Sequence, residues 1–442
     1  VCHMPMARFE SRLTGREGEV FAHLPFNSEK TADRLAADGV SCSVCHQIAE
    51  EKLGTRESFT GGFVIDTKRA AGERQVFGPF AIDAGRTRVM QSSSGFRPTE
   101  AEYIQQSEVC ATCHTLYTKA RGPNGEIIGE LPEQVPYLEW LHSEYRGNRS
   151  CQSCHMPAIE EETAMSSVLG EPRQGVSQHV FLGGNFFIQR MLNRFRGEIG
   201  VTALPEELDT AAGRTVAHLQ SESARLSIDR MEVRAGRLET EVSVVNLGGH
   251  KLPTAYPSRR AWIHVVVRDR SGRVVFESGA IDGRGAIQGN DNDADPARFE
   301  SHHTTLSAAD QVQIYESILS DPRGSPTTGL LSAVRYLKDN RLLPRGFDKQ
   351  TANKDIAVIG GAAEDGDFSG GGDRVRYSVA VDAAQGPFQV EAELWFQPVS
   401  YRWAENLRRY DAEETRRFTR YYDAMASASA IPLARARSSV RD

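Results

Sequence analysis

The sequence predicts an α+β protein of several domains, and three observations support this prediction. The first 204 residues hold all seven cysteines, with only short helical patterns between them. The next segment contains short runs rich in valine, isoleucine and aromatic residues, which are typical of strands. The chain then ends in a helical pattern. We therefore expect a first domain at 1–204, a β-rich domain at 205–399, and a C-terminal helix and tail at 400–442.

Three helices are predicted in and just after the first domain. The segments 136–145 and 185–196 carry helical patterns, and the second has an apolar face. A connecting helix is expected at 205–221, because Pro205 suits a first helical position and acidic residues fill the first turn.

The second domain is predicted to be an immunoglobulin-like β-sandwich with an irregular insertion at 283–372. Within the insertion we expect a helix at 328–338. A C-terminal helix is expected at 402–425, and the tail at 426–442 is expected to be ordered only by a neighbouring molecule. The predicted strands are 238–245, 261–267, 273–277, 374–381 and 389–396.

Three complete Cys-x-x-Cys-His motifs dominate the first domain, and this motif is the attachment signature of c-type haem. Two thiols three residues apart can both form thioethers to one porphyrin, and the next residue lies beneath the iron as its proximal ligand. A half motif at the start lacks its first cysteine, which would fall upstream of Val1, so we expect the chain to extend upstream. At least four haems are predicted, with attachment through Cys2, Cys42, Cys45, Cys110, Cys113, Cys151 and Cys154 and proximal ligation by His3, His46, His114 and His155.

Zinc and disulfides are the alternative uses of these cysteines. A zinc ribbon has a second Cys-x-x-Cys some fifteen to twenty residues after the first, and the gaps here are much longer. The haem motifs also account for all seven cysteines. We therefore do not expect a zinc ribbon or a disulfide framework.

The second axial ligand decides whether an iron is closed or open to substrates. Twelve histidines less the four proximal ones leave eight, which is enough to close every iron. The predicted distal ligands are His179, in a glycine-containing loop, with His23, His142 and His250, and Met90 is a possible thioether ligand. The alternative roles are a core histidine for His23, an exposed helix position for His142 and a polar turn residue for His250.

Two charged segments suggest further ligands. Arg259 and Arg260 follow the His250 loop, and we expect them to pair with haem propionates. Asp291–Asp295 resembles the opening of a calcium loop, but Pro296 and His302 stand where an EF-hand needs Gly and Glu. A Ca²⁺ site of another geometry is considered, and a solvated acidic turn is favoured.

Composition narrows the class of protein. The formal charge of −7, the 39% hydrophobic content and the 25% charged content are ordinary for a soluble globular protein. No apolar run approaches the roughly 20 residues needed to cross a bilayer, and nothing indicates nucleic-acid binding. Because haem is attached to such motifs after export, we expect a periplasmic, extracellular or cell-surface protein.

The chain resembles bacterial multihaem c-type cytochromes in which a CHMP-containing haem domain precedes a β-rich domain. This resemblance implies electron transfer by closely packed, mostly bis-His haems, sometimes within polymers. The matching strings are 1–5, 39–42, 137–140, 151–157, the His179 loop and the GHKLPTAYP segment at 249–257.

The predicted function is therefore electron transfer along at least four haems, without enzymatic activity. One alternative is a subunit of an extracellular filament or membrane electron-transfer complex. Another is a multihaem reductase or oxidase with one open haem. The expected partners are redox proteins or neighbouring cytochrome subunits, including copies of the same chain.

Overall fold

The computed structural model describes residues 2–16, 23 and 26–440. The chain divides into two compact units, each built from two stretches of sequence. The first unit comprises Val1–Tyr117 and Arg149–His179, and the second comprises Thr118–Asn148 and Val180–Asp442. This division differs from the expected first domain at 1–204, because residues 118–148 and 180–204 belong to the second unit.

The two longest helices, α10 with 18 residues and α13 with 13, lie in the second unit. The predicted helices at 136–145, 185–196 and 205–221 correspond to α6, α8 and α10. No helix in the described part of the chain is both long and apolar enough to cross a membrane. The helices are α1 Pro5–Leu13, α2 Thr31–Ala37, α3 Cys42–Cys45, α4 Ala84–Ser94, α5 Ser107–Ala111, α6 Pro136–Leu141, α7 Cys151–His155, α8 Phe186–Arg194, α9 Arg196–Ile199, α10 Pro205–Glu222, α11 Asp291–Ala294, α12 Tyr401–Leu407 and α13 Glu413–Met425.

Most strands lie in the second unit. The five strands predicted from the sequence correspond to β8, β9, β10, β16 and β17. The strands are β1 Gln75–Gly78, β2 Arg97–Glu100, β3 Leu116–Arg121, β4 Ile127–Gln134, β5 Thr163–Ala164, β6 Pro172–Arg173, β7 Ala224–Arg234, β8 Arg237–Asn246, β9 Arg260–Arg268, β10 Val274–Ser278, β11 Thr305–Leu306, β12 Ile314–Tyr315, β13 Ser317–Ser320, β14 Pro326–Thr327, β15 Arg335–Asp339, β16 Gly372–Ala380, β17 Phe388–Gln397 and β18 Ile431–Val440.

The first unit has a small apolar core. Its buried residues are close to the attachment motifs, and half-buried neighbours such as Met6 and Phe9 of α1 pack against them. Helix α4 buries none of its residues. The core therefore lies next to the cysteines, and its buried members are Val44, Ile48, Phe63, Tyr103 and Val109.

The second unit contains two larger β-sheets. One has the order β10-β9-β17-β18, with β12 also paired to β9, and the other has the order β11-β16-β8-β7. Strand β8 alternates buried and half-buried residues along its length, as expected for a sheet with one face against a core. Phe276 of β10 meets Tyr377 of β16 with ring centroids 6.4 Å apart. The two sheets therefore pack against each other.

The helix predicted at 328–338 is wrong. Its C-terminal part is strand β15, which pairs with β13 in an antiparallel sheet. Lys338 is buried on this strand, and its Nζ donates to the Ile314 carbonyl at 3.0 Å and to Glu316 Oε1 at 3.1 Å. Strand pairing and a buried ion pair therefore override the helical pattern of the isolated segment.

The C-terminal segment also differs from its prediction. The helix expected at 402–425 is broken into α12 and α13. The tail does not depend on a neighbouring molecule, because β18 pairs with β17 along its length. Its side chains alternate between a buried face with Ile431 and Leu433 and an outer face where Arg435 pairs with Glu393 at 2.8 Å. The alternation identifies a strand that the Ala/Ser/Arg composition obscured.

Replacing Leu433 tests whether β18 is part of the fold. Leu433 is 3% exposed, so Leu433→Ala should lower the free energy of unfolding by about 2–4 kcal/mol. Urea unfolding followed by far-UV circular dichroism measures this change. The control Arg435→Ala alters a side chain that is 68% exposed and should change stability by less than about 0.5 kcal/mol. Equal effects for the two variants would contradict the assignment of β18.

Candidate haem-attachment sites

Each complete attachment motif forms a short helical turn. Residues three apart lie on one face of a helix, so α3 and α7 each present two thiols on one side. The backbone N–H of His46 donates to the Cys42 carbonyl at 3.1 Å, and that of His114 donates to the Cys110 carbonyl at 2.9 Å. The local fold thus gives both cysteines and the following histidine the arrangement that haem attachment requires.

Counting the half motif at Cys2 as the first, the third motif (Cys110–His114) and the fourth (Cys151–His155) lie side by side. The backbone N–H of Cys151 donates to Ser107 Oγ at 3.0 Å. Gln152 Nε2 donates to the carbonyls of Ile104 and Gln106, at 3.1 and 2.8 Å. A side-chain hydrogen bond joins the thiols of Cys110 and Cys151. These contacts fix α7 against the chain that leads into α5.

The first and second motifs also approach the third. Cys2 Sγ lies 3.7 Å from the Cys113 carbonyl, and a side-chain hydrogen bond joins the two thiols. Val44 of the second motif shares a core with Val109, which precedes the third motif. All the attachment motifs therefore converge on Cys110–His114.

The residues of the first unit fit several porphyrins. None of the seven cysteines, in the part of the chain that the structure describes, forms a disulfide. Several large apolar side chains are also exposed on this small unit. Porphyrins attached to the thiols would supply apolar area for these side chains, which include Val40, Val89, Met90, Met165, Val168 and Leu169.

The rings of His46 and His179 lie close together, at a centroid separation compatible with two imidazoles on one metal ion. Their ring centroids are 6.1 Å apart and their planes differ by 29°. Two imidazole–metal bonds of about 2.0 Å each, with ring radii of about 1.1 Å, give a centroid separation of about 6 Å. His46 Nδ1 also lies 2.6 Å from the Phe77 carbonyl oxygen, which leaves Nε2 as the ring nitrogen available to a metal. Histidine ligands of metals almost always have such a second partner.

His23 has the same kind of support. Its Nδ1 lies 3.0 Å from Asp33 Oδ1, and Asp33 is buried. The backbone N–H of Asn27 donates to the other carboxylate oxygen at 3.1 Å. The hydrogen bond from His23 holds the pKa of Asp33 below its ordinary value. The carboxylate therefore stays ionised and holds the ring through Nδ1, as the second partner of a metal-binding histidine does.

Two predicted distal ligands, His142 and His250, lie in the second unit. His142 Nε2 is 2.9 Å from the Asp348 carbonyl oxygen, and its ring meets Phe347 edge-on at 4.7 Å. These contacts favour a packing role for His142. His250 instead has Nδ1 at 2.9 Å from the Lys251 carbonyl oxygen, which is the arrangement of a metal-binding histidine.

A buried charge network fixes the loop that carries His250. Glu139 Oε2 accepts hydrogen bonds from the Lys251 backbone at 3.1 Å and from Thr254 Oγ1 at 2.6 Å. Its Oε1 lies 2.9 Å from Arg341 Nη1, and Lys251 Nζ pairs with Asp339 Oδ2 at 2.8 Å. Burial raises the pKa of Asp339, but Arg341 and Lys251 outweigh burial and lower it to about 2.

The two arginines after the loop have different roles. Arg260 is buried, with Nη1 at 2.9 Å from Asp293 Oδ1 and Nε at 2.8 Å from Gln397 Oε1. Its predicted pairing with a propionate is wrong, because its donors are used inside the unit. Arg259 is half-buried, and Nη1 donates to the Thr254 carbonyl at 3.1 Å. Burial lowers the pKa of Arg259 to about 10, and this guanidinium keeps the predicted role of an anion partner.

The segment Asp291–Asp295 is not the solvated acidic turn favoured from the sequence, because Asn292 and Asp293 are buried, and its carboxylates do not form the calcium site that was considered. The segment forms the short helix α11, which Asn290 caps. Asp293 pairs with Arg260 at 2.9 Å, and Asp291 pairs with Arg298 at 2.7 Å. Two of its carboxylates are therefore neutralised by arginine and do not converge on a cation.

The remaining predicted site residues have exposed or intermediate positions. His3, His114 and His179 are exposed, and His155 is half-buried at the end of α7. Met90 lies on α4 and is 42% exposed.

Three supporting groups went unrecognised in the sequence. They are the Asp33 carboxylate, the Phe77 carbonyl and the network around Glu139. Only the tertiary fold brings the first two beside their histidines. The segment containing Glu139 belongs to the resemblance described above, which gave this residue no role.

The fold is similar to that of a solved penta-haem cytochrome c552 from Thermochromatium tepidum. The two proteins share 14% sequence identity with a TM-score of 0.52, over 92% of this chain and 78% of that chain. At this identity the similarity concerns the fold, and it agrees with the resemblance to multihaem cytochromes. The sequence matches no protein-family model and no curated protein.

Replacing Glu139 tests the charge network under the His250 loop. Glu139→Gln keeps the shape but removes the charge that faces Arg341, so we expect stability to fall by about 3 kcal/mol. The matched control Glu144→Gln alters an exposed pair, 3.9 Å from Arg345, and should cost less than about 1 kcal/mol. Thermal and urea unfolding of both variants measure the difference. A Glu139 variant as stable as the control would show that the network does not hold the loop.

Proposed function

We propose that this protein is a multihaem c-type cytochrome that transfers electrons along at least four covalently attached haems. The observation that carries the proposal is the pair His46 and His179, whose 6.1 Å centroid separation matches two imidazoles on one iron. The thiols of Cys42 and Cys45 precede the same histidine on α3. Bound haem would supply a one-electron redox centre.

The surrounding residues suit a carrier more than an enzyme. The backbone carbonyl beside His46 and the carboxylate beside His23 fix their rings and raise their basicity. The carboxylate at Asp33 also favours the oxidised, more positive state of a nearby iron. A more basic imidazole binds iron more tightly and so keeps the sixth coordination position closed. Higher ligand basicity and the nearby negative charge both lower the reduction potential, and neither prepares a site for a substrate.

The attachment and ligand roles follow the motifs. Cys42, Cys45, Cys110, Cys113, Cys151 and Cys154 hold three haems through thioethers, and Cys2 belongs to a fourth. His3, His46, His114 and His155 are the proximal ligands. His179 would pair with His46 on one iron as its distal ligand, and His23 is a further distal ligand of the proposal. The distal role of His250 stays a prediction from the sequence. His142 and Met90 stay weaker candidates, and Arg259 is the propionate partner.

The proposed location and partners follow from this chemistry. We infer an exported protein in the periplasm or at the cell surface that exchanges electrons with redox proteins or with neighbouring cytochrome subunits. Porphyrins attached beside the exposed apolar side chains of the first unit would present edges to such partners. If the protein is a subunit of a filament or a larger complex, its proposed function is still electron transfer, and the neighbouring subunit is then its redox partner.

Opening the proposed His46–His179 site tests the function. The wild-type holoprotein, expressed with haem-maturation machinery and an export signal, should carry all its haems low-spin and bind no carbon monoxide when reduced. His179→Ala should convert one haem to a high-spin, carbon monoxide-binding form in optical and resonance Raman spectra. The control His218→Ala on α10 should leave the spectra unchanged. A wild-type protein with a substantial carbon monoxide-binding fraction would contradict the proposed electron-carrier function and favour a multihaem reductase or oxidase with one open haem.

Replacing Asp33 tests the support of His23. Asp33→Asn removes the negative charge 3.0 Å from the His23 ring, so the midpoint potential of one haem should rise. Each kcal/mol of lost stabilisation of the oxidised form raises a one-electron potential by about 40 mV. A spectroelectrochemical titration measures the shift. The control Asp66→Asn alters an exposed carboxylate, paired with Arg69, and should leave all potentials within error. Identical titrations for wild type and Asp33→Asn would remove His23 from the ligand set.

A further inference from the structure

A buried polar cluster in the second unit has no part in the proposed haem chemistry. It comprises His302, Asp365 and Asp373, whose candidate ligand atoms all lie within 4.8 Å of one another. The side chains of His302 and Asp365 are 1% and 5% exposed, and Asp373 is 4% exposed. Three separate segments supply these residues: the loop before β11, the turn before β16, and β16 itself.

Hydrogen bonds fix the protonation state of the histidine. His302 Nδ1 accepts from Gln313 Nε2 at 2.9 Å and from Asn340 Nδ2 at 3.0 Å. Other partners orient both amides: Gln313 Oε1 accepts from the His303 backbone, and Asn340 Nδ2 donates to the Ile314 carbonyl. The ring proton is therefore on Nε2, which donates to Asp365 Oδ2 at 3.0 Å.

This tautomer excludes the imidazole as a metal ligand. A metal binds an unprotonated ring nitrogen, and here Nδ1 accepts two amide N–H groups while Nε2 carries the proton. Zinc and other nitrogen-preferring metals therefore do not suit the cluster. The carboxylate oxygens of Asp365 and Asp373, called the Asp365–Asp373 pair below, are the ligands that remain.

One carboxylate oxygen of Asp373 has no hydrogen-bond partner among the residues that the structure describes. Its Oδ2 accepts from Tyr315 Oη at 2.8 Å and from Gln313 Nε2 at 3.1 Å. Its Oδ1 is buried and has no partner in hydrogen-bond geometry; the Arg374 backbone N–H lies near this carboxylate, and burial raises the pKa of Asp373 to about 6. An unsatisfied buried carboxylate oxygen is costly, so the structure indicates a ligand at this atom.

The nearby lysines do not neutralise the pair. Lys338 Nζ pairs with Glu316 at 3.1 Å, and Lys349 Nζ donates to the backbone carbonyl oxygens of Asp365 and of Phe368. Across the described ranges, neither carboxylate of the pair forms an ion pair with lysine or arginine. The nearby ammonium groups are thus bonded to other oxygens than those of the two carboxylates.

We propose that the Asp365–Asp373 pair binds an oxygen-preferring divalent cation of the calcium class. Two Ca²⁺–oxygen bonds of 2.3–2.6 Å span at most about 5 Å, which matches the spacing of the cluster. His302 holds Asp365 in place as a hydrogen-bonded partner of a ligand, and Tyr315 and Gln313 hold Asp373. Water and nearby oxygens complete the shell, because calcium takes six to eight oxygens. The site is separate from Asp291–Asp295 and does not depend on the haem proposal.

Calcium binding to the full chain tests the proposal. After removal of metals with a chelator, equilibrium dialysis should show one calcium ion bound per chain at pH 7.5. Added Ca²⁺ should raise the midpoint of thermal unfolding by about 3 °C or more at a hundredfold excess over its Kd. Zn²⁺ should not displace the bound calcium.

Three variants locate the ion. Asp373→Asn and Asp365→Asn should each abolish calcium binding and the thermal shift. Tyr315→Phe, which removes one hydrogen bond to Asp373, should keep the fold and weaken binding several-fold. The control Asp291→Asn should bind calcium as the wild type does.

Two outcomes would overturn the proposal. The first is a wild-type chain that binds no calcium and shows no thermal shift. The second is calcium binding that persists unchanged in Tyr315→Phe and in the folded Asn variants. Displacement of calcium by Zn²⁺ would overturn the assigned tautomer and with it the oxygen-only ligand set.

Discussion

The first unit depends on the hydrogen bonds that join its attachment motifs. Cys151 and Gln152 bond to the chain just before the third motif, and Cys2 contacts the carbonyl of Cys113. The apolar core next to these bonds is small. The first unit therefore brings several thiols together while its own apolar core stays small. Covalently attached porphyrins would complete the interior of such a unit.

The second unit differs from the first, because its sheets bury an apolar core of their own. In this unit, buried charged residues hold particular loops and a helix in place. Glu139, Asp339, Arg341 and Lys251 form a buried network in which each charge has an opposite partner, as buried charges require. The network holds the loop of His250, while Arg260 and Asp293 hold α11. By contrast, neither Asp365 nor Asp373 pairs with lysine or arginine in the described part of the chain, and the proposed cation would balance their charge.

The attachment roles of the cysteines stay predictions from local sequence, in which Cys-x-x-Cys-His is a contiguous signal, and the structure adds that Cys42–Cys45 and Cys151–His155 are helical turns. Period-two patterns likewise predicted β8, β9 and β17. The failures share one physical cause, which is tertiary pairing. Residues 335–339 pair with β13, residues 431–440 pair with β17, and Asp293 pairs with Arg260. Partners such as Asp33 for His23 or Phe77 for His46 depend on distant contacts that no local pattern reports.

The proposed electron transfer depends on an iron held between His46 and His179. An experimental structure of the holoprotein, with an anomalous difference map at the iron absorption edge, tests this most directly. We expect an iron peak between the two rings, with both imidazoles as axial ligands and thioethers from Cys42 and Cys45 on the same porphyrin. No iron between the rings, or an iron on His46 with water opposite it, would contradict the proposal.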